Sequence, residues 1–321
     1  MRSRRSLAAG LSLVATLLSS SLALSDNYPT RPVRILIGFA VGSSVDLPAR
    51  LLAKALTDKL GQPFVVENRA GAGGNLAAEA VARAEPDGYT LLLATNSLSN
   101  AAVMGASYDP VKDFAPVIAI ATGPQMLVAH PSLEANNLKE LIALAKAKPD
   151  QIMYGGSGGF AMTRLGGVLL NNMAGIKLMH VFYTGSAPAL VDLLAGRIQL
   201  TFAPALPVIP HLEKGTLKAI GVTTAKRTSV APNVPTIAEA GLPGYELGLW
   251  YGLVAPAGTP PDVIEKLSRV VNDALKSDEV GNVLRAQAID PVGGTPEDFA
   301  KFIRDDTAKM AEMAKIGGIQ N

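Results

Sequence analysis

The stretch that most constrains this chain runs from Val33 to Gly61, VRILIGFAVGSSVDLPARLLAKALTDKLG, because it reads as a complete strand–loop–helix unit. Val33 to Phe39 is apolar and rich in β-branched residues, the pattern of a strand buried on both faces, as in a parallel sheet. Gly42, Ser43 and Ser44 form a small-residue bend. Asp46 is placed to cap a helix, with Pro48 tolerated in its first turn. Leu47, Leu51, Leu52, Ala55, Leu56 and Leu60 recur at helical spacing, and Gly61 closes the helix. Such a loop aims backbone N–H groups and the positive end of a helix dipole at one small space, which suits a carboxylate or phosphate. An ordinary βα turn that binds nothing has the same local pattern.

The same rhythm repeats. Phe64 to Glu67 reads as a strand, and the loop Asn68 to Asn75 leads into a helix from Leu76 to Ala84. After the turn Pro86-Asp87-Gly88, Thr90 to Ala94 is a buried strand that ends in the polar loop Thr95-Asn96-Ser97. Val117 to Ala121 and Gln125 to Ala129 read as two strands divided by Thr122-Gly123-Pro124. A second βα series follows. Its helices are Leu138 to Ala147 and Ala161 to Ala174, and another begins near Pro188. Its strands are Ile152 to Tyr154, Leu178 to Phe182, Leu200 to Ala203 and Leu217 to Thr223. The small-residue loops Gly155 to Phe160 and Tyr183 to Ser186 follow two of these strands. The run LGLWYGLVAPAGTP then leads to a helix from Pro260 to Leu275; its Trp250 and Tyr251 either line the cleft or fill the core, and their apolar neighbours favour the core. Thr295-Pro296-Glu297-Asp298 starts a last helix to about Ile316, whose sparse stripe (Phe299, Phe302, Ile303, Met310, Met313) is expected to dock on the first lobe.

This order implies an α/β protein of two lobes. In open α/β sheets ligands sit beyond the carboxyl ends of the strands, so loops 40–46, 95–97, 155–160 and 183–187 are expected to meet in one cleft. The division read from the sequence is 26–124 with 251–321 as lobe 1, and 125–250 as lobe 2. Residues 1–25 read as a secretory signal. Arg2, Arg4 and Arg5 precede the apolar, serine-broken stretch Leu7 to Leu24, and Ala23-Leu24-Ser25 suits cleavage. An uncleaved anchor is the alternative.

Removing the three leader arginines from 29 Lys+Arg leaves 26 basic residues against 27 acidic ones, a net charge of −1 with no basic tail. That argues against nucleic-acid binding. The chain has no cysteine, which excludes thiol chemistry, thiolate zinc and iron–sulfur clusters, and is compatible with export of a fold that needs no disulfides.

The segments YPTRPVRILIGFAVGSSVD, GQPFVVENRAGAGGNLAAEAVARAEPDGYTLLLAT, YDPVKDFAPV, HVFYTGSAPALVDLLAGRIQL and VPTIAEAGLPGYE resemble, in this order, the Bug family. These are the periplasmic solute-binding receptors of tripartite tricarboxylate transporters. The resemblance covers nearly all of Tyr28 to Ile316. It implies a Venus-flytrap fold, no catalysis, no cofactor, a small organic acid held between the lobes and delivery of that acid to membrane transporter subunits by a periplasmic monomer. It places the ligand against Phe39, Ala40, Gly42, Ser43, Ser44 and Asp46, with Thr95, Ser157, Gly185, Ser186 and Ala187 at other cleft positions; Thr163 and Tyr183 lie in the same loops.

The sequence departs from the family pattern in places. Ala40-Val41-Gly42-Ser43-Ser44 replaces a loop richer in proline and glycine. Met162-Thr163-Arg164-Leu165 stands where a Ser-Thr-His-Leu-like start is usual. Tyr183-Thr184-Gly185 lacks a common lysine, and Phe202-Ala203 lacks a common aspartate. If Arg164 faces the cleft it offers a bidentate fork for a carboxylate. Ala203, Met162 and Phe160 point to a less cationic, more apolar ligand end.

Two rival readings remain. Gly155-Gly156-Ser157-Gly158-Gly159 satisfies G-x-S-x-G between a strand and a helix, with Asp192 and His211 following in order, which would make a secreted serine hydrolase. A stand-alone sensory or scavenging binding protein is the other. Asn68 to Asn75 fails as a dinucleotide fingerprint because Leu76 occupies the last glycine position. His130, His180 and His211 have no partners at metal-ligand spacing.

Overall fold

A computed structural model of the chain describes residues 28–318. The expected leader, 1–25, lies outside them. β1 (Val33–Ile37) is buried at every position except Arg34 and runs parallel to β2 (Phe64–Asn68) on one side and β3 (Thr90–Thr95) on the other. α1 (Asp46–Leu60) buries Ala49, Leu52 and Leu56 against this sheet, each leucine stabilising the fold by about 1.5–3 kcal/mol. Gly61 ends it at φ 74°, its N–H returning to the Thr57 carbonyl. α2 (Asn75–Ala82) and α3 (Asn96–Asn100) cover the opposite face, so Thr95-Asn96-Ser97 opens a short helix rather than a loop.

β4 (Phe114–Ala129) corrects the two-strand expectation, because the chain runs straight through Thr122-Gly123-Pro124. Those residues stay extended because β9 (Gly248–Pro256) pairs alongside them, with Thr122 opposite Trp250 and Pro124 opposite Gly248. From Gln125 onward β4 pairs instead with β7 (Leu200–Pro204) and β8 (Lys218–Val222). Proline, with no N–H to donate, sits where β4 changes partners.

β5 (Met153–Gly156) and β6 (Met179–Phe182) complete a ten-stranded sheet ordered β2-β1-β3-β9-β4-β7-β5-β6, with β8 and β10 (Asp290–Pro291) attached to β4. The second half-sheet carries α4 (Leu138–Ala147), α5 (Met162–Ala174), α6 (Ser186–Leu194) and α7 (Ala205–Glu213). α8 (Pro261–Lys276) returns to pack beside α1. Each half-sheet has a hydrophobic cluster on both faces, so each is its own three-layer unit.

α9 (Pro296–Ile316) opens with the expected capping box between Thr295 and Asp298. It does not pack on the first half alone. Phe299 and Ile303 belong to a core of the first half-sheet, while Met310 and Met313 belong to a core of the second. A helix of this length spans about 30 Å at 1.5 Å per residue, enough to strap both halves. Trp250 and Tyr251 are both buried, as expected, and alternate to opposite faces of β9.

Candidate ligand cleft

Strand polarity decides where the loops meet. β3 is antiparallel to β9 and β9 to β4, so β4 runs parallel to β1, β2 and β3. β7 is antiparallel to β4, and β5 and β6 run with β7. The carboxyl ends of β1 and β3 therefore point toward those of β5, β6 and β7. Thr95 lies level with Ala121 of β4 through Tyr251, and Pro204 lies level with Gln125. The step from Ala121 to Gln125 is about 13 Å at roughly 3.3 Å per residue.

Loop 38–45 forms the first wall. A Cβ on Gly38 would lie 2.4 Å from the Gly74 Cα, so this loop and loop 69–74 meet backbone to backbone. Asp46 is not the cap expected of it. It is the first residue of α1, and Val45 holds the cap position without a side-chain bond. The Asp46 carboxylate is claimed from the side instead. Oδ2 accepts from Arg50 Nε at 2.9 Å, and Oδ1 accepts from Arg50 Nη2 at 3.1 Å and Asn68 Nδ2 at 3.2 Å. Asn68 Nδ2 also donates to the Phe39 carbonyl at 3.0 Å. The Arg50 hydrogen bonds above all, helped by Asn68 and the Gly42 backbone, hold the Asp46 carboxyl below its ordinary range. Asp46 thus staples the loop to its own helix and to β2. Within the loop Ser43 Oγ is buried without a hydrogen-bond partner among the described residues, and Ser44 bonds the Tyr251 hydroxyl. Ala40, Gly42 and Ser44 are exposed, and Phe39 is half-buried.

Thr95 caps α3, its Oγ1 accepting from the Ser97 N–H at 3.4 Å. Asn96 ties this corner to β9, donating to the Gly248 carbonyl and accepting from the Trp250 N–H, both at 3.0 Å. Asn96 was missed as a site-building residue, and Tyr251 was weighed for the cleft but read as core. A polar residue directly after a buried strand was the available signal for Asn96; nothing local signals the Tyr251 hydroxyl.

The opposite wall is built by close packing. The Ser157 N–H donates to Thr163 Oγ1 at 2.9 Å, closing loop 157–161 onto the buried first turn of α5. A Cβ on Gly156 would sit 3.0 Å from the Thr163 carbonyl oxygen and 3.1 Å from both Arg164 N and His180 Nε2. His180 Nε2 donates to the Gly156 carbonyl at 3.1 Å. Burial is the main cause that lowers the His180 pKa and keeps the ring neutral. The Tyr183 hydroxyl turns back onto α6 to donate to Asp192 at 2.8 Å. Ser186 is half-buried and Ala187 exposed at the start of α6, with Gly185 extended at its cap position.

Two expectations fail here. Arg164 is tied to the end of the last helix, Nη2 donating to the Gly317 carbonyl at 3.3 Å, where the negative end of the α9 dipole favours a cation. Ala203 is 1% exposed and packs with Met126, Leu193 and Val208 in the core beneath α6 and α7, so it has no surface to offer a ligand.

A hydrolase triad is not assembled either. Asp192 is engaged by Tyr183 and by Arg197 at 2.6 Å, and His211 bonds Thr216. The His130 ring bonds Ser132, and the His180 ring the Gly156 carbonyl. None of these histidines hydrogen-bonds Ser157. Among the described residues no cluster of His, Asp and Glu fits a metal ion, and no helix is long and apolar enough to cross a membrane.

Residues 48–319 match the model of the tripartite tricarboxylate transporter family receptor. The chain belongs to this receptor family. It is 36% identical to Protein BugT of Bordetella pertussis over 298 residues, covering 92% of this chain and 91% of that one. An R. palustris protein solved with adipate is 38% identical, covers 91% of this chain and 99% of its own, and superposes with a TM-score of 0.71. A TctC solute-binding protein from Polaromonas, solved with no ligand, is only 25% identical but superposes at 0.84, covering 90% and 99%. The family is one of two-lobed solute-binding receptors, not enzymes, so the serine hydrolase reading falls.

Proposed function

We propose that this receptor captures a dicarboxylic acid with an apolar middle between its two sets of strand-end loops. The observation that carries the reading is the convergence of those loops in a chain 38% identical to a receptor solved with adipate. Two features of the cleft support it. The first loop combines exposed small residues at a helix N-terminus with the orphaned Ser43 hydroxyl, a donor-rich setting for one carboxylate. The rim is apolar on both sides, with Val41 70% and Phe182 65% exposed, which suits a methylene chain better than a hydroxylated one.

The change of partners along β4 after Pro124, and the return through β9, support lobes of 26–124 with 251–321 and of 125–250. The better superposition on the ligand-free Polaromonas relative, despite its lower identity, supports an open arrangement. Ligand must then bind the closed form more tightly to shift the lobes, since equal affinity for both forms shifts nothing. Further parts of the proposal are cleavage of the leader near Ser25, a periplasmic monomer, and presentation of the closed form to membrane transporter subunits.

The test is thermal unfolding of the purified protein with succinate, glutarate, adipate, pimelate, malate and the matching diols. A ligand at a hundred times its dissociation constant adds about 2.7 kcal/mol, a rise of about 5–10 °C at this size. A rise with adipate or pimelate that exceeds the rise with malate is the expected result. No rise with any carboxylate overturns the proposal.

A further inference from the structure

A cavity of about 550 Å³ lies on the face of β4 and β9 that α9 covers, within the range of small-molecule sites. None of its lining residues belongs to the strand-end loops of the cleft. Thr122 and Trp250 form its floor, Phe302 and Asp306 of α9 one wall, and residues 224–229 after β8 the other.

Asp306 is the unusual group. It is 5% exposed, and its Oδ2 accepts from Trp250 Nε1 at 2.8 Å. No Lys, Arg or His among the described residues pairs with it, and Oδ1 receives no hydrogen bond from them. Buried carboxylates are ordinarily paired, because desolvating a charge is expensive. Three cations line the cavity; Lys226 is exposed with no side-chain partner among the described residues, and the other two are engaged. Lys309 Nζ donates to the Glu246 carbonyl at 3.2 Å, and Arg227 Nε pairs with Glu239 at 2.7 Å. Thr228, 1% exposed on the facing wall, has a buried Oγ1 with no partner among the described residues. The rings of Trp250 and Phe302 stand edge to face, their centroids 5.7 Å apart, and aromatic faces attract cations.

We propose that this cavity is a second ligand site, selective for a small organic ammonium. The ammonium donates to Asp306 Oδ1 and Thr228 Oγ1, and the apolar body lies against Trp250 and Phe302. The site prefers the opposite charge from the cleft and does not depend on what the cleft binds.

Calorimetric titration of the purified protein with phenethylamine, phenethyl alcohol and phenylacetate tests this. Phenethylamine is expected to bind, and Asp306→Asn, which keeps an acceptor for Trp250 Nε1, to weaken it at least about tenfold, as loss of a charge-assisted hydrogen bond does. Thr228→Val is expected to weaken it about threefold, and serves as the second probe if Asp306→Asn fails to fold. Phenethyl alcohol is expected not to displace the amine, and any phenylacetate binding to be unaffected by either substitution. Absence of phenethylamine binding, or an affinity unchanged in the folded variants, overturns the proposal; neither result bears on carboxylate binding in the cleft.

Discussion

The two walls of the cleft are built on different physics. Loop 38–45 is held by an ionised, hydrogen-bonded hub, with Asp46 joining Arg50, Asn68 and the Gly42 backbone. Loop 157–161 is held by a neutral hydrogen bond, from the Ser157 N–H to Thr163 Oγ1, and by close contact of Gly156 with Thr163, Arg164 and a neutral His180. Yet the tightest approach is on the first wall, where Gly38 and Gly74 touch through their backbones. One wall therefore combines a charge staple with an unyielding backbone contact. Loop 157–161 of the other has no such charge staple and has slightly more room to give. The proposed capture, with one wall gripping an anion and the other closing over it, would be served by this asymmetry.

The largest effect that could break the comparison is steric. Gly38→Ala forces a methyl onto backbone that cannot swing aside, and is expected to cost about 2–3 kcal/mol, seen as a melting temperature lower by roughly 5–10 °C. Gly156→Ala faces contacts of 3.0–3.1 Å, which relax by a few tenths of an ångström, and is expected to cost about 1 kcal/mol. A larger loss at Gly156 than at Gly38 would reverse the ranking of the walls.

Acid separates the walls next. The folded-state pKa of His180 is lowered by burial, so below its ordinary value near 6.5 the unfolded chain binds the proton first. Stability from the second wall is thus full above about pH 6.5 and falls as pH drops through the lowered pKa. Asp46 is also lowered, by its Arg50 bonds first, so its contribution is full above the ordinary Asp value and is lost only as pH falls through a still lower one. A melting-temperature profile is expected to decline in two stages. His180→Gln should remove the stage that begins near pH 6, and Asp46→Asn should make the one below about pH 4 shallower, since Asp109 and Asp192 are lowered as well. A profile unchanged by both substitutions would mean that neither group reports on its wall.

The smallest effect concerns Arg164. Because its guanidinium serves the Gly317 carbonyl, Arg164→Ala is expected to change adipate affinity by less than about twofold and stability by under about 1 kcal/mol. A tenfold loss of affinity would return Arg164 to the cleft and give the second wall a charge of its own.

Local chemistry made much of the fold legible. The apolar run at β1 allows only a buried strand, the leucine spacing of α1 only a helix with one wet face, and Thr295 with Asp298 a helix start, since each depends on neighbours within a few residues. The meeting of the small-residue loops was legible as well, because loops after parallel strands share one end of the sheet by topology. Family membership, too, was readable from motifs in order along the chain.

Tertiary structure alone decided the rest. Thr122-Gly123-Pro124 has the composition of a turn, and only β9 running beside it keeps β4 extended. Asp46 has the position of a cap, and only Arg50 and Asn68, one of them twenty-two residues away, draw its carboxylate aside. Arg164 and Ala203 sit where a ligand contact was expected, but Gly317 claims one and the core beneath α6 and α7 the other. Hydrophobic period and turn chemistry act within a few residues of chain, so the sequence by itself determined the elements and their order. The direction of a side chain is set by competing partners from distant segments, and those were brought together only by the fold.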